Sequence, residues 1–242
     1  MKMILEGEKS KTYIPKEEIN ICRRNYVNNK IVNKSEINTY VNEHVKANKC
    51  LTFVSYWGAT SKEDLDDSDR KTLKNLKEYI NWVSCTCKNQ CQWIFLLSDV
   101  HAQKNGYQDV KIKRYLSSIE KYIHDIPNTT CIYLKEFWQE HQVESRIARK
   151  MEYVKKEWDH IEIAETLVKQ AGKNDVSART QQESAIYYYC MRLVESQVLT
   201  KKFSDAVFVT YSTDYMKELY PALPCCYLWS ERRGISKPPW LL

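Results

Sequence analysis

The stretch Trp93-Ile94-Phe95-Leu96-Leu97-Ser98-Asp99-Val100-His101-Ala102-Gln103-Lys104-Asn105-Gly106-Tyr107 is an apolar run that stops abruptly in Asp, His, Asn and Gly. A buried parallel strand reads this way when its carboxyl end opens onto a ligand crevice, because helices cover both of its faces. A second run, Leu51-Thr52-Phe53-Val54-Ser55-Tyr56-Trp57-Gly58, ends the same way in Ala59-Thr60-Ser61-Lys62-Glu63-Asp64. Two polar strand ends facing one crevice make a site.

Outward from these runs the pattern alternates. Before the first strand, Ser35 to Lys49 reads as a helix capped by Ser35, with Ile37, Tyr40, Val41, His44 and Val45 on one stripe. Between the runs, Asp64 to Val83 reads as a helix whose acidic start suits the positive end of its dipole. Strand, helix and strand form a right-handed parallel crossover. Val110 to His124 is a further helix, Thr130 to Leu134 a third strand, and about Phe137 to Ala171 a long polar helical stretch ended by Gly172-Lys173-Asn174-Asp175. Ser177 to Val198 is the last helix, Ala206 to Tyr211 a fourth strand, and Pro221 to Trp229 an extended edge. The order β-α-β-α-β-α-α-β predicts an open α/β domain with a mostly parallel sheet flanked by long helices. Residues 1–35 read as a peripheral arm and 36–242 as one domain.

Composition agrees. Five glycines and six prolines in 242 residues argue against a sandwich or barrel of many short strands. No stretch approaches the roughly 20 apolar residues of a membrane span, and the amino terminus lacks a secretory core, so a cytoplasmic protein with no membrane partner is expected. Nine cysteines fit that compartment as reduced thiols. In Cys85-Thr86-Cys87-Lys88-Asn89-Gln90-Cys91 the thiols lack the paired Cys-x-x-Cys spacing and an adjacent histidine, so no metal is expected there.

Asp99 and His101 lie two apart at a strand end, so in an extended chain both side chains point the same way. The carboxylate then orients the imidazole for proton transfer or cation binding, or caps a helix. Asn105-Gly106 adds a tight turn with backbone amides available to a ligand. Lys62, at a helix start after Ser61, either receives a phosphate or carboxylate or is simply solvated. No Walker loop and no dinucleotide fingerprint occurs, so no nucleotide cofactor is expected. In the last helix Tyr188, Arg192 and Glu195 are spaced i, i+4, i+7 on one face, as a surface ion pair or as groups entering a pocket. Basic residues gather at Lys111, Lys113, Arg114 and Lys121, and again at Arg146, Arg149, Lys150 and Lys156. Together they form either a phosphate-binding stripe or solvated helix faces.

A strand ending in Asp-x-His, a basic helix, a third strand, a long polar helical segment and a helix with tyrosines before a glutamate together resemble the tRNA-dependent cyclodipeptide synthases. The resemblance covers roughly residues 50–230 and is one of order and spacing. It implies a Rossmann-like domain similar to class I aminoacyl-tRNA synthetases. It also implies formation of a diketopiperazine from two aminoacyl-tRNAs, without ATP. Asp99, Val100 and His101 would flank the aminoacyl pocket, the helix from Lys111 would meet tRNA, and Glu195 would contact the substrate amino group. The family's Gly-x-Ser element is absent after the first strand, which places Ser61, or the hydroxyl of Tyr188 or Tyr189, as acyl acceptor. Met191 stands where the family carries a tyrosine.

Ala59-Thr60-Ser61-Lys62, the acidic helix and Ser98-Asp99 also resemble the isocyanide synthases, over about residues 50–140. That resemblance implies a free amino acid and a sugar phosphate as substrates, with Lys62 as the carbonyl or phosphate partner. A non-catalytic RNA-binding module using only the basic helices is the third expectation.

Overall fold

A computed structural model describes residues 19–22, 34–58, 62–88, 91–170, 180–210 and 224–227. Its strands are β1 (Leu51–Gly58), β2 (Cys91–Ser98), β3 (Thr129–Tyr133), β4 (Ala206–Thr210) and β5 (Cys225–Tyr227). They form one sheet in the order β3-β2-β1-β4-β5, with every neighbouring pair parallel. The register of β1 on β2 runs from Leu51 opposite Cys91 to Gly58 opposite Ser98, so the two polar strand ends stand level. Both strands are buried on both faces, which is why their sequences run almost continuously apolar. Phe53 and Trp93 stack at 4.3 Å between centroids and lock the central pair.

Helix α1 (Lys34–Lys46) precedes the sheet, and α2 (Asp67–Thr86) joins β1 to β2. α3 (Asp99–Lys104) and α4 (Asp109–His124) join β2 to β3. Both crossovers step the same way along the sheet, so right-handedness puts α2 and α4 on one face. From β3 the chain runs through α5 (Leu134–Glu140), α6 (Val143–Glu157), a 3-10 turn at Trp158–His160, α7 (Ala164–Gln170) and α8 (Gln181–Lys202). It then returns to β4 on the other side of β1, which puts this group on the opposite face. There α6 packs against α8. The change of direction makes the carboxyl ends of β1 and β4 the topological switch point, where open α/β sheets bind ligands.

Three expectations need correction. The helical stretch from Phe137 to Ala171 is broken twice, at Gln142, whose backbone is left-handed with φ 52°, and around the 3-10 turn anchored by buried Trp158. Gly172 to Asp175 lie outside the described residues. Ile21 and Cys22, assigned to a peripheral arm, are buried core residues. Side chains of α1 and α2 draw this segment in: Asn42 Oδ1 accepts the Ile19 N–H at 3.0 Å, and the Tyr79 hydroxyl donates to the Ile21 carbonyl at 3.0 Å. Finally, β2 ends at Ser98 and helix begins at Asp99, so Asp99 and His101 do not share an extended face.

Candidate active site

Helix α8 is capped by the Thr180 hydroxyl, which accepts the Glu183 N–H at 3.1 Å. It then runs between α6 and the sheet with apolar residues on several sides, among them Ala185, Ile186, Cys190, Met191, Val194 and Val198. Glu195 falls inside that packing and is 1% exposed. A carboxylate moved there without partners would cost several kcal/mol. Four donors from four elements offset the loss of water. On Oε1, Trp138 Nε1 donates at 2.6 Å and His101 Nε2 lies at 2.7 Å. On Oε2, the Tyr56 hydroxyl donates at 2.7 Å and Arg192 donates at 3.4 Å.

Each donor follows from the local fold. Tyr56 alternates with buried Ser55 and Trp57 near the end of β1 and so faces α8. His101 is the third residue of α3, so the turn from strand to helix swings it over the strand end. Trp138 comes from α5, and Arg192 lies one turn before Glu195, with its guanidinium 5.2 Å from the centroid of the Tyr56 ring.

The donors settle the protonation. Burial alone would raise the Glu195 pKa, but His101, Arg192 and the Tyr56 hydroxyl outweigh it and hold the carboxyl below its ordinary range. Burial, then the Glu195 charge, pushes the Tyr56 phenol well above its ordinary value, so Tyr56 remains a donor. With the carboxylate accepting, a neutral His101 carries its hydrogen on Nε2 and leaves Nδ1 as a proton acceptor. The His101 side chain keeps 19% exposure and Arg192 keeps 11%, so the cluster reaches solvent through these two and through half-buried Tyr56.

Two of the expected residues are brought to Glu195, namely His101 and Arg192. Both Glu195 oxygens accept hydrogen bonds from protein donors, so Glu195 holds Tyr56, His101, Trp138 and Arg192 together. Asp99 is turned away, its Oδ1 accepting the Lys135 N–H at 2.9 Å to cap α5 and the Val100 N–H at 2.8 Å. Burial raises the Asp99 pKa in spite of those bonds. The Asn105 turn also serves the backbone. Gly106, with φ 80°, closes α3 as its N–H donates to the Gln103 carbonyl at 2.9 Å and the Tyr107 N–H donates to Ala102 at 3.1 Å. The Asn105 N–H is likewise bonded to the His101 carbonyl at 3.0 Å.

Tyr189 packs edge-on against Trp158 at 6.2 Å, Tyr188 is half-buried on α8, and the phenol bonded to Glu195 is that of Tyr56. Ser61 lies outside the described residues. Lys62 pairs with Asp66 and, at 3.2 Å, with Asp69. Burial alone would lower the Lys62 pKa, but those two carboxylates hold it above its ordinary value.

The basic residues do not form one stripe, because α4 and α6 cover opposite faces of the sheet. On α4, Lys111 and Arg114 both pair with Glu63, at 3.0 and 3.3 Å, while Lys113 and Lys121 are exposed. On α6, Arg149 donates to the Ser145 carbonyl at 3.4 Å, Lys150 lies 5.5 Å from the Tyr153 ring centroid, Arg146 is half-buried, and Lys156 is exposed. Among the described residues no group of three or more His, Cys, Asp or Glu side chains is arranged to hold a metal. Cys85 is exposed, whereas burial, then the neighbouring Cys91, pushes the Cys87 thiol up to about 12. No helix among the described residues is long and apolar enough to cross a membrane.

Tyr56 and Trp138 were missed from sequence. An aromatic residue in a strand or an amphipathic helix reads as core, and their polar atoms matter only once Glu195 is placed between them.

No protein-family model and no curated protein matches the sequence. Solved structures of similar fold exist at 12–13% identity. The PvcA protein of Pseudomonas aeruginosa, 12% identical, superimposes with a TM-score of 0.58 over 84% of this chain and 79% of its own. Tyrosyl-tRNA synthetase of Archaeoglobus fulgidus, 13% identical, does so with 0.52 over 87% of this chain and 62% of its own. What these two structures share with this chain is the fold, a parallel sheet flanked by helices. A cyclodipeptide synthetase of Mycobacterium tuberculosis, 12% identical, is also matched, over 78% of this chain and 88% of its own with a TM-score of 0.44. The likeness is one of fold, so the chemistry is argued from the Glu195 cluster.

Proposed function

We propose that the protein is a divergent tRNA-dependent cyclodipeptide synthase, joining the aminoacyl groups of two aminoacyl-tRNAs into a diketopiperazine without ATP. The observation that carries this reading is the Glu195–His101 pair at the carboxyl end of the sheet, oriented by Tyr56, Trp138 and Arg192. An aminoacyl ester is already activated, so its aminolysis asks for positioning and proton transfer. His101 Nδ1 takes the proton from the attacking amine as nitrogen bonds to the ester carbonyl carbon. It returns that proton to the ribose hydroxyl that leaves. A second aminolysis closes the ring, so two ester bonds break and two amide bonds form. Arg192 balances the Glu195 charge and offers a cation to the developing carbonyl oxyanion. Ser61 is the candidate acyl acceptor if the first aminoacyl group is held covalently.

The Ala59-Thr60-Ser61-Lys62 element and Ser98-Asp99, which resemble the isocyanide synthases, support a second reading: conversion of a free amino acid to an isonitrile with a sugar phosphate. That reading needs Lys62, which Asp66 and Asp69 hold in its charged form. Mass spectrometry of products from charged tRNA, with and without RNase, separates the two. A diketopiperazine that disappears on RNase treatment is expected. Unchanged output after RNase, or an isonitrile from free amino acid that is lost in Lys62→Ala, overturns the first reading.

A further inference from the structure

Next to the Glu195 cluster, between α3, α5 and the start of α6, is a cavity of about 440 Å³. Trp138 belongs to both: its ring lines the cavity while its Nε1 donates to Glu195. Neither His101 nor Glu195 lines it, so it is a separate compartment one side chain away from the proposed proton-transfer pair. Its volume falls within the roughly 300–1,000 Å³ of small-molecule sites.

The lining is divided by burial. Val100 and Trp138 are 7% and 4% exposed and give an apolar, partly aromatic floor. Lys104, Lys135, Gln139 and Glu144 stand around it and reach solvent. Glu144 is spent on Lys104, whose Nζ lies 3.1 Å from Oε1 and 4.8 Å from the centroid of the Tyr187 ring. Lys135 is exposed and, among the described residues, has no carboxylate at ion-pair distance. The Asp99 carboxylate bonded to its backbone N–H also feels its charge, but the ammonium at the mouth is left without a direct ion pair. That backbone bond holds the start of α5 in place. An apolar floor with an exposed ammonium that no carboxylate pairs directly, and an amide one turn along α5, suits a molecule with an apolar body and an anionic end.

We propose that this cavity is a binding site for a small apolar carboxylate, an arylalkyl or branched alkyl acid. Its body lies on Val100 and Trp138, and its carboxylate meets Lys135 and the Gln139 amide. An occupant touches the indole that holds Glu195, so the site is linked to His101 through one shared side chain.

Isothermal titration of the whole chain tests this without turnover, so the outcome is independent of which product the enzyme makes. The probes are phenylacetate, phenethylamine and inorganic phosphate. Phenylacetate is expected to bind, with phenethylamine and phosphate at least tenfold weaker, and Lys135→Gln is expected to weaken phenylacetate about tenfold through loss of a charge-assisted bond. Val100→Phe, which fills the floor, is expected to abolish binding. Lys135 is on the surface, so its variant decides the matter even if Val100→Phe does not fold. The proposal is overturned if phenylacetate does not bind, if phenethylamine or phosphate binds equally well, or if Lys135→Gln leaves phenylacetate affinity unchanged.

Discussion

Two buried carboxylates stand near the end of β1, one on each face of the sheet, and they are built for different ends. Tyr56 and Trp57 are consecutive, so they point to opposite faces. Tyr56 leads to Glu195. Trp57 leads to Asp69, through its Nε1 donating to the Tyr115 hydroxyl at 3.3 Å and that hydroxyl donating to Asp69 Oδ1 at 3.0 Å. Asp69 is fully buried and also closes a capping box with Asp66 at the start of α2, while Lys62 is clamped on its other oxygen. Besides Lys62, itself held by two carboxylates, Asp69 is bonded to the buried Tyr115 hydroxyl and to the Asp66 backbone N–H, which are fixed in the core and at the helix cap. Around Glu195 three partners, Tyr56, His101 and Arg192, keep partial exposure, and under the proposed function His101 is the one that carries the proton. Equal burial therefore does not mean equal role; what separates the clusters is that an imidazole beside Glu195 keeps partial exposure, while the phenol and the backbone N–H bonded to Asp69 are fixed in the core and at a helix cap.

The largest effect that would break this contrast is expected from Glu195→Ala. Removing one partner of a buried ionic cluster costs about 3–5 kcal/mol, and product formation should fall at least 10³-fold as His101 loses its orientation. Urea denaturation and product yield measure the two parts, and retention of full activity would remove Glu195 from the machinery. A sharper test sets His101→Ala beside Asp69→Asn. The first should lower turnover by about 10²–10⁴ with little loss of stability. The second should lose about 2 kcal/mol of stability with turnover per folded molecule unchanged. If Asp69→Asn abolished turnover while folding normally, the two clusters would not differ as described.

The smallest effect is in the pH dependence of stability. Glu195 has a folded pKa below its ordinary 4.5, so the native state binds fewer protons than the unfolded chain. Its contribution is complete above that value and is lost as pH falls through the lowered one. Asp99, raised above 3.8 by burial, acts with the opposite sign and loses stability as pH rises from 3.8 through its raised value. The stability difference between wild type and Glu195→Gln should shrink as urea denaturation is moved from pH 6 toward about pH 3. A constant difference across that range would show that Glu195 is not held ionised in the native state.

The central strands were legible because a parallel strand covered on both faces must be apolar along its length. Their polar ends were legible because apolar burial stops where the crevice opens. Glu195 and Arg192 stood out because charges within an apolar helix need partners. Pairing Asp99 with His101 failed for a local reason: helix starts one residue earlier than an extended reading assumes, which rotates neighbouring side chains apart and turns Asp99 toward α5. The basic stripe failed for a topological one, since the chain reverses direction between α4 and α6.

By itself, then, the sequence determined the α/β class, the level at which the crevice opens and the helix that carries the buried carboxylate. These follow from burial and periodicity, which act over neighbouring residues. Only the tertiary structure decided that Tyr56, His101, Trp138 and Arg192 converge on Glu195. Their separations along the chain reach 139 residues, and the hydrogen bonds that choose them form only once β1, α3, α5 and α8 are packed together.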